Sequence, residues 1–462
     1  MRVLTRDMEK YEGKETVLMG WVQVRRDHGK IIFIDLRDRS GITQVVFVPK
    51  DEVLYKKAET LRPEWVVLIK GKISKRPKGM ENPKVPGGSY ELAATGLEVL
   101  NEAQTPPIEV TEDGKDIGEE VRMKYRYLDL RRPRLQANMR KRGEVTKLIR
   151  DFLTNNEFIE IETPILTKST PEGARDYLVP ARLHAGKFYA LPQSPQQYKQ
   201  LLMVAGMERY FQIARCFRDE DTRGDRQPEF TQLDLEMSFV EREDVMALNE
   251  KLLIEIVTEL YPEKKIQEIP FPRLSYEEAM EKYKTERPDL RKDKNDPNLL
   301  AFAWVIDFPF FEKNDKGGWT FTHNPFSAPK PEFMENLLAK KNIPDILTSQ
   351  YDVVLNGWEI GGGSIRNHKP EALTAVFEII GFEKDRIKEN FGHMLEALSF
   401  GAPPHGGIAW GLDRLLMILQ NEPNIREVIA FPKTGDGKDL MMDAPSDVSR
   451  EQLKELHMKT EK

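Results

Sequence analysis

The first hundred residues contain short stretches in which apolar and polar residues alternate, as in a β-strand with one buried face. Three such stretches lie within residues 17–48, separated by turn signals at residues 27–29 and 39–41. Two more strands are predicted at residues 65–73 and 90–99. About five short strands favour a small barrel, in particular an OB-fold. Another small β domain would show the same spacing.

A region of mixed pattern follows the predicted barrel. Residues 101–120 are polar, acidic and contain proline, which is typical of a linker. A helix is predicted next, ending near residue 155, with apolar residues at helical spacing at Leu135, Met139, Val145, Ile149 and Phe152. The alternating run FIEIETPIL comes next, and from there to about residue 435 strands and helices mix without a βαβ rhythm. This order predicts an α+β fold with a largely antiparallel sheet.

The length of 462 residues allows two or three domains with buried cores. We predict a barrel over residues 1–103, a linker over 104–130, an α+β domain over 131–440 and a C-terminal extension over 441–462. No apolar run reaches membrane-spanning length, and the N-terminal residues do not resemble a signal peptide. With Cys216 as the single cysteine, a cytoplasmic protein is expected. The net charge of −6 argues against a protein that coats nucleic acid indiscriminately.

Three segments concentrate residues suited to anionic ligands. Residues 215–236 mix arginines with carboxylates around a predicted turn, and guanidinium groups suit phosphate oxygens while carboxylates suit Mg2+ or ribose hydroxyls. Residues 351–366 run into three successive glycines, which often mark the close approach of a ligand or another backbone. Residues 401–418 place Arg414 in the first turn of a helix predicted to begin near Gly411, a workable anion site.

Each segment alone also has an ordinary structural explanation: an ion-paired surface hairpin, a bulge or tight turn, and a strand–helix corner. The glycine-rich phosphate loops GxxxxGK[ST] and GxGxxG do not occur in the sequence. Side chains must therefore hold the phosphates of any bound nucleotide.

Taken in order, the segments resemble a known enzyme family. FIEIETP, FRDED…RQPEF and GIAWGLDRLLM resemble motifs 1, 2 and 3 of the class II aminoacyl-tRNA synthetases. The segments STPEGARDYLVP, ALPQSPQQYKQLLM, FTHNPF and LNGWEIGGGSIR resemble the aspartyl-tRNA synthetases of bacterial type. The resemblance covers nearly the whole chain. It implies an OB-fold anticodon-binding domain, a class II catalytic domain built on an antiparallel sheet flanked by helices, and ligation of L-aspartate to tRNA(Asp) with ATP.

The resemblance also implies how the amino acid is held. Lys199 and Arg366 would face the side-chain carboxylate of aspartate, and a neutral asparagine would match them badly because an unpaired buried charge costs on the order of 3–5 kcal/mol. Glu172 and Asp234 would bind the ammonium, and His323 would lie on a loop that closes over the substrate. The expected aspartate-binding residues are Glu172, Gln196, Lys199, Arg218, Asp234, His323 and Arg366.

For ATP, the resemblance implies that Arg218 binds the α-phosphate, Arg414 binds the γ-phosphate and Phe230 stacks on adenine. Arg218, Arg414 and Glu359 are the expected catalytic residues, and Asp352 and Glu359 are expected to hold Mg2+. The expected ATP-binding residues are Arg218, Asp219, Glu220, Gln227, Phe230, Glu359, Gly411, Leu412, Asp413 and Arg414. No protein base is evident for transfer to the 3′-hydroxyl of tRNA. A phosphate oxygen of the adenylate is a hypothesis for that role.

The barrel would read the anticodon, since OB-folds stack unpaired bases on aromatic side chains. Phe33 is the predicted stacking residue, with core packing as the competing interpretation. The predicted polar readers are Arg25, Arg26, Gln44 and Glu91. His28 favours a non-discriminating enzyme that also accepts tRNA(Asn), although a solvated loop histidine is the alternative. A second discriminating position, near residues 82–88, is ambiguous.

Bacterial-type members carry a large insertion domain between motifs 2 and 3. In this sequence only a short polar stretch within residues 273–303 joins the flanking segments, so we expect the insertion domain to be absent. Motif 1 forms a two-fold interface in the family, which implies a homodimer. Two alternatives are an asparaginyl-tRNA synthetase-like enzyme, against which Lys199 argues, and an inactive tRNA-binding relative, against which Arg218 and Arg414 argue.

Overall fold

The structure, a computed structural model, describes residues 2–82, 88–169 and 173–460. The chain forms two compact units, Met1–Pro133 and Arg134–Lys462. Among the described residues, no helix is both long enough and apolar enough to cross a membrane.

The first unit contains a closed five-stranded barrel, which confirms the predicted OB-fold. Its elements are β1 (Glu15–His28), β2 (Ile31–Asp38), β3 (Gly41–Phe47), α1 (Glu52–Glu59), β4 (Val66–Lys75) and β5 (Tyr90–Asn101), with a short 3-10 helix at Thr5–Tyr11. The strand order is β1-β2-β3-β5-β4, and only the β3–β5 pair is parallel. Alternation along β2 buries Ile32, Ile34 and Leu36 in the barrel core, as the sequence pattern requires.

The segment predicted as a linker is folded and belongs to the first unit. It contains α2 (Glu119–Lys124) and α3 (Arg126–Asp129), and Ile108, Val110 and Leu128 form a small core. The fully buried Asp129 accepts hydrogen bonds from Arg126 at 2.7 Å and Arg132 at 2.6 Å, and it also pairs with Arg122. Local polarity suggested a linker, but a buried ion cluster and an apolar cluster organise these residues.

The second unit is built on an eight-stranded sheet. The strands of the second unit, eight of which form this sheet and six of which form three two-stranded sheets, are β6 (Ile159–Glu160), β7 (Leu178–Pro180), β8 (Phe188–Ala190), β9 (Arg209–Phe217), β10 (Glu229–Ser238), β11 (Lys265–Ile266), β12 (Arg273–Ser275), β13 (Leu299–Leu300), β14 (Phe302–Ile306), β15 (Phe311–Lys313), β16 (Trp319–Phe321), β17 (Gln350–Leu355), β18 (Trp358–Ile365) and β19 (His405–Gly411). The sheet order is β12-β14-β17-β18-β19-β10-β9-β6, and only its two edge pairs are parallel. The prediction of a largely antiparallel α+β fold is confirmed.

Helices cover this sheet and extend the second unit. They are α4 (Pro133–Asn155), α5 (Gln196–Val204), α6 (Arg242–Leu260), α7 (Tyr276–Tyr283), α8 (Met334–Ala339), α9 (Pro370–Ile379), α10 (Lys384–Ser399), α11 (Leu412–Leu419) and α12 (Arg450–Glu455), with 3-10 turns at Pro331–Phe333, Ile343–Asp345 and Ile425–Glu427. Helix α4 ends at the predicted residue. The alternating run after it forms only the two-residue strand β6, because it pairs with β9 alone and soon reaches Pro164, which has no N–H to donate.

Strand β10 shows how the sheet separates its core from its functional face. Leu233 and Leu235 enter the main hydrophobic core, which also contains residues of α4 and α6. The alternate residues Gln232, Asp234 and Glu236 lie on the opposite face and are also buried. A strand buried on both faces, with one face polar, requires partners for every polar group.

The three glycines of β18 allow neighbouring groups to approach closely. A Cβ on Gly363 would lie 2.2 Å from the carbonyl oxygen of Gly407 and 2.6 Å from the ring of Tyr351. A Cβ on Gly361 would meet Trp410 at 2.7 Å. The strand also pairs with β17 through a register shift between Val353 and Val354, so the predicted bulge is present alongside the close approach.

We expect Gly363→Ala to destabilise the second unit by about 3 kcal/mol or more, because the added methyl group would overlap backbone atoms that cannot rotate away. Gly392→Ala is the matched control, since it lies in α10, where a Cβ meets only Lys388 at 3.6 Å, and alanine should stabilise that helix by about 0.5–1 kcal/mol. Urea unfolding of both variants measures the difference. Equal stability of Gly363→Ala and the wild-type protein would contradict this account of the glycines.

Candidate active site

Two adjoining cavities, of about 610 Å³ and about 230 Å³, lie over the polar face of the sheet. They share Arg218, Gln232 and Glu359 in their walls, so they form one cleft. The larger cavity is lined by six of the predicted aspartate-binding residues: Gln196, Lys199, Arg218, Asp234, His323 and Arg366. The seventh, Glu172, lies outside the described residues.

The smaller cavity brings together eight of the residues predicted to bind ATP: Arg218, Glu220, Gln227, Phe230, Glu359, Gly411, Asp413 and Arg414. The structure places the other two elsewhere. The side chain of Asp219 is half exposed and lies 3.8 Å from Arg175, and Leu412 is buried in the core. Asp413 lines the cavity, but its carboxylate accepts hydrogen bonds from Arg142 and from the backbone N–H of Thr231. It therefore anchors the fold at this point.

Four buried charges form the floor of the larger cavity. Lys199 Nζ lies 2.7 Å from Asp234 Oδ2 and 3.4 Å from Glu236 Oε2. Arg366 Nε and Nη2 donate to the two oxygens of Glu236 at 2.9 and 3.1 Å. Each of the four residues is at most 2% exposed. The two cations are therefore held in place by two carboxylates before any ligand binds.

Glu236 is the important residue that the sequence reasoning missed. It lies two residues after Asp234 on β10, so both carboxylates point to the same face of the strand. That spacing was a usable signal, because two carboxylates at i and i+2 that alternate with the apolar Leu233 and Leu235 share one strand face and need cationic partners. Burial raises the pKa of Glu236, but Arg366 and Lys199 outweigh burial and hold that pKa below its ordinary value.

Asp234 is in a different electrostatic position from Glu236. Burial raises its pKa above the ordinary value, although Lys199 opposes the shift. Its Oδ1 atom is buried and has no hydrogen-bond partner within the described part of the chain. Because an unsatisfied buried carboxylate oxygen is costly, this atom is suited to accept from a cationic ligand group in the cavity.

The smaller cavity contains two buried donor groups that have no acceptor among the described residues. Arg414 Nη2 donates to Asp225 at 2.9 Å, and Nη1 donates to the carbonyl of Glu359. Arg414 Nε and Gln227 Nε2 are buried without acceptors among the described residues. The Arg218 guanidinium lies 5.1 Å from the centroid of the Phe230 ring, so groups suited to a phosphate and to a base are side by side.

Asp352 and Glu359 are the two carboxylates expected to hold a divalent cation at this site. Asp352 is 3% exposed and accepts a hydrogen bond from Gln350 at 2.7 Å. Burial and the nearby Glu359 raise the pKa of Asp352 well above its ordinary value, which is the repulsion that a bound cation would relieve. In the ranges that the structure describes, no group of three or more His, Cys, Asp or Glu could hold a metal. Glu359 lines both cavities whereas Asp352 lines neither, so a cation held by this pair would take its remaining ligands from phosphate and water.

The predicted anticodon residues lie in two places on the barrel. Phe33 is half-buried on β2, outside the barrel core, and is paired in register with Arg26 of β1. Near it, Arg26 forms a two-pronged ion pair with Asp35, and Gln44 donates to Glu91 at 2.9 Å. These contacts favour the outer-face interpretation of Phe33 over core packing.

Arg76, which was not predicted, joins this face by donating to Gln44 at 2.9 Å. Arg25 is engaged elsewhere, with Asp27 and the backbone carbonyl of Leu61. His28 is exposed at the end of β1. Part of the second predicted discriminating segment, residues 83–87, lies outside the described residues.

Comparison with known proteins matches the model of the tRNA synthetases class II (D, K and N) to residues 118–435, and the OB-fold nucleic acid binding domain to residues 16–100. The chain is 42% identical to an aspartate–tRNA(Asp/Asn) ligase from Thermoanaerobacter sp. (strain X514), covering 98% of this chain and 96% of that protein. It is 43% identical to the enzyme of the same name from Rubrobacter xylanophilus, covering 96% and 94%.

Solved structures give the same fold. Asparaginyl-tRNA synthetase from Pyrococcus horikoshii, complexed with asparaginyl-adenylate, matches with a TM-score of 0.74 at 24% identity, covering 92% of this chain and 96% of that chain. Aspartyl-tRNA synthetase from Entamoeba histolytica matches with a TM-score of 0.74 at 23% identity, covering 94% and 91%.

We expect Glu236→Gln to destabilise the second unit by about 3–5 kcal/mol, because it leaves two buried cations short of one negative charge. Since the pKa of Glu236 is lowered on folding, its contribution is present at neutral pH and is lost as pH falls through the folded pKa. The stability gap between variant and wild type should therefore narrow in acid. Urea unfolding at several pH values measures this gap.

The control is Glu332→Gln, an exposed carboxylate 3.4 Å from Lys330, which should change stability by less than about 1 kcal/mol. If both variants lost the same small amount of stability, the prediction that Glu236 stabilises the second unit by neutralising two buried cations would be contradicted.

Proposed function

This chain belongs to the class II tRNA synthetases (D, K and N), and we propose that it is an aspartate–tRNA ligase. It forms aspartyl-adenylate and pyrophosphate from L-aspartate and ATP, and it then transfers aspartate to the 3′ end of tRNA(Asp). The relatives named above carry this activity in their names. The observation that carries the choice of amino acid is the buried pair of cations, Lys199 and Arg366, at the floor of the cleft.

The unused donors of this pair suit a carboxylate. Three of the five N–H groups of Arg366 donate to Glu236 and Ser364. Lys199 has three donors and is paired with Asp234 and Glu236. The remaining N–H groups can only donate, so they suit a ligand group that has lone pairs and no N–H, such as the side-chain carboxylate of aspartate. The amide of asparagine would place its own N–H groups against these donors.

The first step depends on charge and position. The α-carboxylate of aspartate attacks the α-phosphorus of ATP, and pyrophosphate leaves as the phosphorus–oxygen bond to the β-phosphate breaks. Arg218 lines both cavities, so it can bind the α-phosphate where the two substrates meet, and Arg414 lies at the far end for the γ-phosphate. Fixed donors of this kind stabilise charge that develops in the transition state without reorganising. Asp352 and Glu359 would hold Mg2+, which neutralises phosphate charge when bound.

The barrel is proposed to bind the anticodon of tRNA(Asp). Phe33 offers a flat face for a base, while Gln44, Glu91 and Arg76 offer donors and acceptors for base edges. The relatives are named for both tRNA(Asp) and tRNA(Asn). This name supports the non-discriminating specificity that His28 suggested.

Two further features are proposed from the sequence and its alignment. The alignment to the Thermoanaerobacter relative spans 582 positions although this chain has 462 residues, so the relative contains more than one hundred residues without counterparts here. Only residues 284–298 separate α7 from β13, which supports the absence of the insertion domain.

A homodimer through the motif 1 segment is supported by the exposed apolar residues Ile159, Ile165 and Leu166.

ATP–pyrophosphate exchange with single amino acids tests the proposed activity. Aspartate should support exchange, and asparagine or lysine should not. Arg218→Gln should lower the exchange rate by about 100-fold or more, because one preorganised donor to the reacting phosphate is lost, and it should leave tRNA binding unchanged. Arg215→Gln is the matched control, because this arginine lies only three residues earlier, on β9, pairs with Glu229 and lines neither cavity. Full exchange by Arg218→Gln would refute its assigned role.

Phe33→Ala should raise the KM for tRNA(Asp) by about 5- to 150-fold, the loss expected for one base–aromatic stack, without changing amino-acid exchange. Phe33→Leu keeps apolar volume but not the flat ring, so it should be impaired in the same direction. A wild-type KM in both variants would exclude a stacking role.

Charging of purified tRNA(Asp) and tRNA(Asn) with labelled aspartate tests the tRNA specificity of the enzyme. Transfer to tRNA(Asp) alone would refute the non-discriminating proposal.

A further inference from the structure

We propose that a buried hydrogen-bond relay running from the carbonyl of Pro403 through His405 and Gln200 fixes the Gln196 side chain as an acceptor for the α-ammonium group of the amino acid. His405 and Gln200 are positioning residues in this proposal, since Gln196 alone of the relay's side chains lines the larger cavity. The proposal rests on the proposed function. Gln196 was already expected at the amino-acid site, and the proposal adds the groups that orient its side chain.

The relay begins at the backbone carbonyl oxygen of Pro403, which can accept a hydrogen bond but cannot donate one. A backbone carbonyl oxygen only accepts, so the His405 Nδ1, 2.7 Å from the carbonyl oxygen of Pro403, must carry the proton. The His405 side chain is fully buried, and burial lowers its pKa. The ring is therefore neutral, and its other nitrogen, Nε2, has a lone pair and no proton.

The protonation of His405 then determines which end of each glutamine amide on helix α5 donates and which accepts. Because His405 Nε2 accepts, the Gln200 amide at 3.1 Å must present its NH2 group to the ring. Gln200 Oε1 consequently faces Gln196, whose Nε2 donates to it at 2.9 Å. The two glutamines are four residues apart on α5 and so lie on the same helix face. This leaves Gln196 Oε1 as the free polar atom at the end of the relay.

The position of that oxygen agrees with the charges of the cavity. Gln196 and Asp234 line the same cavity, and Asp234 Oδ1 is a buried acceptor without a partner among the described residues. Two acceptors suit an ammonium group, while Lys199 and Arg366 suit the carboxylate at the other end of the substrate. If the Gln196 amide turned over, its NH2 group would oppose the ammonium. The relay prevents that turn, because each member has only one allowed orientation.

The test compares aspartate with succinate, which carries two carboxylates but no ammonium group. Gln200→Leu interrupts the relay with an apolar side chain of similar size. In ATP–pyrophosphate exchange it should raise the KM for aspartate by about ten-fold, the loss of one hydrogen bond to a charged group. Its inhibition constant for succinate should remain that of the wild-type protein. His405→Asn, which keeps an N–H near Pro403 but lacks the accepting ring nitrogen, should change the two constants in the same pattern.

Two controls separate the relay from a general disturbance of the fold. Gln197→Leu removes the next glutamine of α5, which bonds to His393 at 2.7 Å outside the relay, and should leave the KM for aspartate unchanged. In a Gln196→Ala background, adding Gln200→Leu should have no further effect on that KM, because the group on which it acts is gone.

The possible results have distinct meanings. An unchanged KM for aspartate in Gln200→Leu and His405→Asn, or equal weakening of aspartate and succinate, would overturn the relay. Additive effects of Gln196→Ala and Gln200→Leu would overturn it as well. Failure of the wild-type protein to exchange pyrophosphate with aspartate would instead refute the proposed function.

Discussion

The ion network of Lys199, Asp234, Glu236 and Arg366 is the interaction on which the catalytic unit depends. Its members come from helix α5, strand β10 and the residue after strand β18, so it joins three elements on the polar side of the sheet. Removing such charges from water is costly, and the cost is offset only when each charge has close partners. The network meets that condition and still leaves donors and one carboxylate oxygen for a ligand. Stability and the proposed substrate recognition therefore use the same four side chains.

The geometry of the sheet makes this arrangement possible. On β10, the apolar residues at alternate positions fill the core, and the polar residues between them form the cavity floor. On β18, glycines let β19 approach closely enough that a side chain at Gly363 would overlap its backbone. The site is therefore a rigid surface of paired strands, and in its smaller cavity the Arg414 side chain is already held by Asp225 and by the backbone carbonyl of Glu359. A preorganised site of this kind is suited to stabilising transferred charge.

Much of the protein could be predicted from the sequence, for identifiable reasons. The barrel strands have period-two alternation and clear turns, so their number and approximate bounds were predicted, and helix α4 was predicted from its apolar spacing. The segment before residue 134, predicted as a linker from its polarity, contains two short helices. Their order comes from Arg122, Arg126 and Arg132 gathering around Asp129, which local composition does not show. The alternating run after α4 forms only a two-residue strand, since an edge strand extends only as far as its single neighbour pairs with it.

The sequence by itself determined the chemical components of the site: arginines and carboxylates in an order that resembles one enzyme family, with no glycine-rich phosphate loop. It could not determine which of those groups meet, because Lys199, Glu236 and Arg366 are separated by up to 167 residues and become neighbours only when the strands pair. The tertiary structure decided that Glu236 neutralises both cations, that Asp225 holds Arg414, and that the polarity of Gln196 is set from Pro403. Hydrogen-bond direction and charge pairing depend on distances of a few ångströms, and such distances exist only in the folded chain.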